Sequence, residues 1–302
     1  MKPVSFTVNV CAADAPFAEK TIRHMVRAIG YPFAERLAIL DQGKPEGKYT
    51  KRHGADLELI QEALDRLKQD NVIDNIIEVP WQNAEIHRIS EKYFGRPDMP
   101  LRDPDGAPIY QYLFGLDACS SPFLLHADSD MLFHPGESPN WVYQGIDALE
   151  SEPQVAFVSC GSAPQARTRI ERLTGLQLHK RKTLWGSWKS VSTRFFLTSR
   201  NKLENKLIPL APAIAGEALE KTLTHTYHGK GLEHWSLHPR FGWSIHPINH
   251  NNEFLEHLDG LIALVEKGQY PFVRDGLRYN LETKGDYFTP WKRLLRANGL
   301  IS

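Results

Sequence analysis

The stretch FLLHADSDMLFHP (123–135) ends an apolar run in two carboxylates one residue apart, Asp128 and Asp130, with His126 and His134 on either side. In an extended backbone, side chains at i and i+2 share a face, so both acids can address one ion, directly or through its water. Burial and like charge would raise at least one of their pKa values, and a divalent cation removes that conflict. Hard oxygen ligands suit magnesium or manganese, which keep several waters and bridge to substrate phosphates. Such an ion stabilises the negative charge that collects on a departing nucleoside diphosphate. The bland alternative is a turn with an exposed acid. The position after a buried strand favours the metal.

The elements that must position this pair alternate between strand and helix. VSFTVNV (4–10) is a β-branched run, and the apolar residues of APFAEKTIRHMVRAIGY recur at helical spacing. RLAILDQG (36–43) reads as a second strand, ADLELIQEALDRLKQDNV (55–72) as an amphipathic helix, and IDNIIEVP as a third strand stopped by Pro80. PIYQYLFGLDACS (108–120) suits a helix leading into the strand PFLLHA. This order predicts an α/β fold with a mainly parallel sheet and crossover helices. Ligands of such sheets bind at the carboxyl ends of strands, where Cys11 to Asp14, Asp41 and Asp128 to Asp130 all fall. Further on, WVYQGIDALESEPQVAFVSCG gives a helix and a strand, VSTRFFLTSR a strand, AGEALEKTLTHTYHGKG a helix, and a last helix lies near 253–267 before an irregular tail.

Composition narrows the class. The 302 residues are 41% hydrophobic and 24% charged, enough for a substantial core and too apolar for disorder. Basic and acidic residues number 36 each, so no net field points to nucleic acid. Three scattered cysteines make neither a disulfide framework nor a zinc ribbon, and a reducing cytoplasm fits. No window approaches a run of about 18 apolar residues, so no membrane span is expected. A dehalogenase-type phosphatase would place its Asp-x-Asp early and continue into Gly-Thr. A metalloprotease would need a His-Glu-x-x-His helix, which is absent. A nucleotidyltransferase would open on a glycine-rich basic loop, and VNVCAADAPF has none.

The order VSFTVNVCAAD, RLAILDQG, YQYLFGLDACSSPFLLHADSDMLFHPG and STRFFLTSRNKLENKLIPL resembles the glycosyltransferases of the Rossmann-like GT-A fold, especially the inverting family 2 type, over roughly residues 4 to 250. The resemblance implies a mainly parallel central sheet flanked by helices with an acceptor-side extension. Residues 1–136 would form a nucleotide-sugar-binding half, 137–270 an acceptor-binding half of the same domain, and 271–302 a tail. It implies transfer of a hexose-type sugar from a UDP- or GDP-sugar to an acceptor hydroxyl on a carbohydrate or glycolipid, with Mn2+ or Mg2+ on the diphosphate. Asp41 would contact the base, Ala12 to Asp14 would line the nucleoside pocket, Asp128 would lie near the ribose, and Asp130 would hold the metal with Asp128 and His246. The family's second strand usually ends in two acids, where this chain has Asp41-Gln42, and its Glu-Asp pair before the acceptor helix is missing.

An inverting transfer needs a carboxylate to take the acceptor's proton. The family places it at the helix after the STRFFL strand, which here offers Glu217 first, then Glu220, with Glu233 as a further candidate. Carboxylates at a helix start are also stabilised by its dipole, so a structural acid is the competing reading. The histidines between His225 and His257 show no zinc-ligand spacing, and apart from His246 they read as surface or hydrogen-bonded groups. His126 and His134 read as structural neighbours of the acids. HKRKTLWGSWKS (179–190) could be a basic lid with Gly186 as hinge and Trp185 or Trp188 stacking on a sugar, or a solvated loop. Arg194 reads as an acceptor-side or ion-paired group. The basic tail TPWKRLLRANGLIS suits a docked terminal helix or peripheral contact with anionic lipid. Two alternatives stay open: a sugar-phosphate nucleotidyltransferase, and a non-catalytic nucleotide- or carbohydrate-binding protein of the same fold.

Overall fold

The computed structural model describes residues 1–43, 46–47, 55–136, 140–162, 185–188, 190–214, 216–271, 280–283 and 285–302. Its centre is an eight-stranded sheet in the order β3-β2-β1-β4-β9-β6-β10-β8. These are β1 (Val4–Cys11), β2 (Glu35–Asp41), β3 (Asn75–Glu78), β4 (Phe123–Asp128), β6 (Val155–Ser159), β8 (Trp185–Trp188), β9 (Phe195–Ser199) and β10 (Glu233–Leu237). Strands β3, β2, β1 and β4 run parallel, β9 runs against both β4 and β6, and β8 pairs antiparallel with β10. The expected mainly parallel α/β architecture is the one found.

Alternation along each strand splits the core between two layers. Phe6, Val8 and Val10 of β1 face Ile22 and Met25 of α1 (Ala18–Ile29) and Ile60 and Leu64 of α2 (Leu57–Gln69). On the opposite face Leu37, Ile39 and Leu124 pack with α3 (Asn83–Phe94) and α4 (Tyr110–Ala118). The same layer takes Leu223 and Tyr227 of α6 (Leu219–Gly229), while α5 (Trp141–Ser151) covers β6 from the first face. Each fully buried aliphatic side chain stabilises the fold by about 1.5–3 kcal/mol before entropy is subtracted.

A smaller sheet orders β12 (Asn280–Leu281), β11 (Trp243–Pro247) and β5 (Leu132–His134), with β7 (Gly161–Ser162) also on β11. Its core joins Leu132, Trp243 and Ile245 to α7 (Asn252–Glu266) and to Trp291 and Leu295 of α8 (Thr289–Ala297). The tail ends in a docked helix, as one of the two readings of TPWKRLLRANGLIS has it, with Trp291 and Leu295 in this core. Helix α3 was not expected from the sequence, and α6 begins at Leu219, so Glu217 precedes it. The lid reading of 179–190 lies largely outside the described residues, which there comprise the backbone of Trp185–Trp188, as the edge strand β8, and Ser190. Among the described residues no helix is long and apolar enough to cross a membrane.

Candidate functional site

The strand order reverses between β1 and β4, and ligands of open α/β sheets bind at such a switch point. A cavity of about 610 Å³ opens there. Its lining joins the ends of β1, β2 and β4 to the start of α4, the approach to β9 and the start of α6. Ala12, Asp14, Asp41, Asp128, Asp130 and Glu220 all line it; Glu217 and His246 do not.

The two acids follow one pattern. Asp128 Oδ1 accepts from the Tyr112 hydroxyl, and His126 Nε2 lies 3.4 Å from the same oxygen. Asp130 Oδ2 is 2.9 Å from His250 Nε2, while Asp130 Oδ1 is buried with no hydrogen-bond partner. Burial alone would raise the Asp130 pKa, but the His250 hydrogen bond and the charges of His250, His246 and Arg194 hold it below the usual carboxylate range. Asp130 is thus a half-buried carboxylate biased toward its ionised form, with one buried oxygen to spare. A buried acceptor left unsatisfied costs about 1–3 kcal/mol, so such an atom asks for a ligand.

Charge in the cavity points the same way. Among the described residues its lining carries Asp14, Asp41, Asp103, Asp105, Asp128, Asp130 and Glu220 against only Arg102 and Arg194. A divalent cation fits that surplus and the spare Asp130 oxygen. No three His, Cys, Asp or Glu side chains among the described residues converge as a ready-made cage.

The wall built from Asp14 and Asp41 is more committed than the sequence implied. Asp14 turns its Oδ2 back to the Cys11 amide at 2.9 Å. Asp41, 3% exposed, accepts from the Gly43 amide at 2.7 Å and from Arg102 Nη2 at 2.9 Å. Both Asp41 oxygens therefore have protein donors, and Asp41 holds Arg102, whose guanidinium lies 5.8 Å from the Trp81 ring centroid. Breaking such a buried pair by removing one partner costs about 3–5 kcal/mol.

On the opposite wall, Glu220 in the first turn of α6 faces the cavity beside Thr193 and Arg194. Burial raises its pKa and the Asp128 charge adds to that, with Arg194 opposing. Glu217 instead accepts from the Ala213 amide at 2.8 Å and the Thr222 hydroxyl at 3.3 Å, which pins the loop entering α6. Glu233 accepts from Trp235 Nε1 at 2.6 Å, away from the cavity lining.

His246 sits one position beyond Ile245 on β11, buried. Its Nδ1 is 2.9 Å from the Pro247 carbonyl oxygen, so Nδ1 carries the proton and Nε2 is free to accept from Arg194 Nη1. Burial holds its pKa below the ordinary value, against the pull of Asp130. His246 thus backs Arg194, and the histidine touching Asp130 is His250, stacked on Phe17 at 4.5 Å between centroids. Sequence reasoning read His250 as a plain hydrogen-bonded residue. Nothing in its spacing marks it, because a loop after β11 carries it 120 positions from Asp130. Tyr112 and Arg102 were missed for the same reason.

Two further histidines make structural contacts. His234 bonds the Ser159 hydroxyl and the Ser190 carbonyl, each at 3.0 Å, and burial pushes it down to about 4. His134 lies 3.2 Å from the Glu266 carbonyl oxygen.

Neither a family model nor a curated protein sequence matches the chain. Solved structures do. Glucosyl-3-phosphoglycerate synthase from Mycobacterium tuberculosis, in complex with Mn2+, UDP-glucose and phosphoglyceric acid, aligns at 15% identity over 87% of this chain and 77% of that one, with a TM-score of 0.42. GalNAc-T7 with UDP, GalNAc and Mn2+ aligns at 12% identity over 82% of this chain and 44% of that one, with a TM-score of 0.48. TarS from S. aureus gives 10%, 87%, 39% and 0.44 in the same order. These structure neighbours are GT-A glycosyltransferases. At such identities and TM-scores the chemistry of this chain is read from its own side chains.

Proposed function

We propose that the chain is a glycosyltransferase that uses a nucleotide-diphosphate sugar, UDP- or GDP-linked, and a divalent cation, Mn2+ or Mg2+, with inversion at the sugar. One observation carries this reading: the Asp128–Ser129–Asp130 turn opens onto the cavity at the switch point, with a buried, unpartnered oxygen on Asp130. Asp128 and Asp130, with His250 beside them, would hold the cation. When bound, that ion would offset the charge growing on the leaving diphosphate. The segment Ala12 to Asp14 and the Asp41–Arg102 pair would line the nucleoside end.

Glu220 is the base of this proposal. The acceptor oxygen attacks the anomeric carbon, the bond from that carbon to the diphosphate oxygen breaks, and the acceptor proton passes to the Glu220 carboxylate. Its raised pKa makes it a better proton acceptor than an ordinary surface glutamate, and it lines the cavity together with Arg194 and Asp128, which supports the reading. Glu217, the first candidate from the sequence, has its carboxylate engaged in the loop instead. The acceptor is a carbohydrate or glycolipid hydroxyl in this reading.

The test is incubation with UDP- and GDP-sugars and manganese. The proposal expects slow release of nucleoside diphosphate and free sugar, lost in Glu220→Gln. Release of pyrophosphate from a nucleoside triphosphate, with nucleotide-sugars left intact, would replace it with nucleotidyl transfer. Binding of a nucleoside diphosphate with no turnover of any sugar donor would replace it with a non-catalytic binder.

A further inference from the structure

Gly115 lies where α4 crosses β1 and β2; a Cβ there would meet Ile39 Cγ1 at 3.2 Å and Asn9 Oδ1 at 3.3 Å. The glycine lets the helix sit close on the sheet. One turn earlier, Gln111 Nε2 donates to the Val10 carbonyl at 3.0 Å and to the Ile39 carbonyl at 2.9 Å. Those two bonds tie the first turn of α4 to the last residues of both strands, in a place where neither bond can be exchanged for water. Tyr112, the next residue, is thereby delivered to the end of β4, where its hydroxyl donates to Asp128 Oδ1.

A second group meets the same oxygen from behind. His126 shares the face of Asp128 on β4 and is 1% exposed, packed between the Tyr112 ring at 4.8 Å and the Phe196 ring at 5.4 Å. Its Nε2 lies 3.4 Å from Asp128 Oδ1. One oxygen of Asp128 is therefore occupied on the helix side. Asp130 shows the complementary state, one oxygen on His250 and one unpartnered.

We propose that Tyr112 is a positioning residue for the acid pair: its hydroxyl, backed by His126, fixes the carboxylate plane of Asp128 so that Oδ2 is turned toward a cation shared with Asp130. The inference rests on the metal-dependent reading above. It adds that the affinity for the cation-bound diphosphate depends on a hydroxyl of α4 that would not itself hold the ion. A carboxylate free to rotate must lose that freedom each time the ion binds, and a pinned one has lost it on folding. Groups that orient a metal ligand from behind typically contribute 10–100-fold to metal affinity.

The experiment measures the UDP dissociation constant by calorimetry with and without manganese, and takes their ratio as the manganese-dependent gain. Tyr112→Phe should reduce that gain about tenfold while the metal-free constant stays within about twofold. In an Asp128→Asn background the same substitution should change the gain no further, because the pinned group is already gone. An unchanged gain in Tyr112→Phe overturns the inference, and so does an equal weakening with and without metal, which marks a merely structural loss. If Tyr112→Phe fails to fold, His126→Gln tests the same carboxylate from its other support: a gain reduced in that variant supports the inference, and an unchanged gain overturns it. A wild-type protein with no manganese-dependent gain would refute the function proposed above rather than the role of Tyr112.

Discussion

Two histidine–carboxylate pairs flank β5, and they are built to opposite ends. In the first, His24 Nε2 accepts from the Phe133 amide at 2.9 Å and Nδ1 donates to Glu266 Oε1 at 2.7 Å. Arg27 donates to the same carboxylate, so α1, β5 and α7 are bolted together with every partner on the imidazole supplied. In the second, His250 meets Asp130, yet an oxygen of that acid is left buried and unpartnered at the cavity. Burial pushes the His24 pKa down, and the opposing pull of Glu266 does not restore it. The same residue types make a closed strut in one place and an open socket in the other. What separates them is whether the hydrogen-bond inventory closes without a ligand.

The contrast can be broken from either side. The largest effect is expected at the open end: Glu220→Gln should lower turnover by about 10²–10⁴ while UDP affinity holds, measured by single-turnover kinetics and calorimetry. At the closed end, His24→Ala leaves the Phe133 amide without its acceptor and should cost about 2–3 kcal/mol of stability by denaturant titration, with UDP affinity unchanged within about twofold. If His24→Ala instead removed UDP binding and spared stability, the two pairs would not differ in kind.

Proton linkage separates the regions again. Because the folded pKa of His24 lies below its unfolded value, near 6.5, the unfolded chain binds more protons as pH falls through that point. Its contribution to stability should be full above about pH 6.5 and decline below it, read as a falling melting temperature in the apo protein. In the proposed role Glu220 would act on rate: a raised pKa would move the acid limb of the turnover profile up from the ordinary carboxylate range, and Glu220→Gln should abolish that limb. The smallest effect is assigned to Glu217→Gln, below about 1 kcal/mol on stability, with turnover kept, since its carboxylate ties the loop before α6 to Thr222 of that helix, outside the cavity lining.

Much of the fold was legible because period and punctuation carry it. Val4–Cys11, Glu35–Asp41 and Phe123–Asp128 follow the apolar runs read as strands, and Leu57–Gln69 follows the amphipathic pattern. Helix α3 was missed because its buried face amounts to Ile89, Ser90 and Tyr93, a weak stripe with a polar member. The candidate site was legible only where it is local in sequence. Asp128 and Asp130 mark themselves by spacing at a strand end, and Asp41 by the same position on β2. Tyr112 and Arg102 reach the cavity, and His250 reaches Asp130, through long-range packing, which single-chain periodicity does not encode. The choice between Glu217 and Glu220 turned on where α6 starts. Ala218 caps that helix without a side-chain bond, so the usual capping signal is absent.

The central claim is that Asp130 keeps an oxygen for a cation that carries a nucleoside diphosphate. It is tested most directly by titrating UDP and GDP into the protein with and without manganese, in wild type and in Asp130→Ala. The account predicts that manganese tightens at least one of the two nucleotides by more than about tenfold in wild type and not at all in the variant. Equal affinities with and without the metal, or a gain that survives in Asp130→Ala, would contradict it.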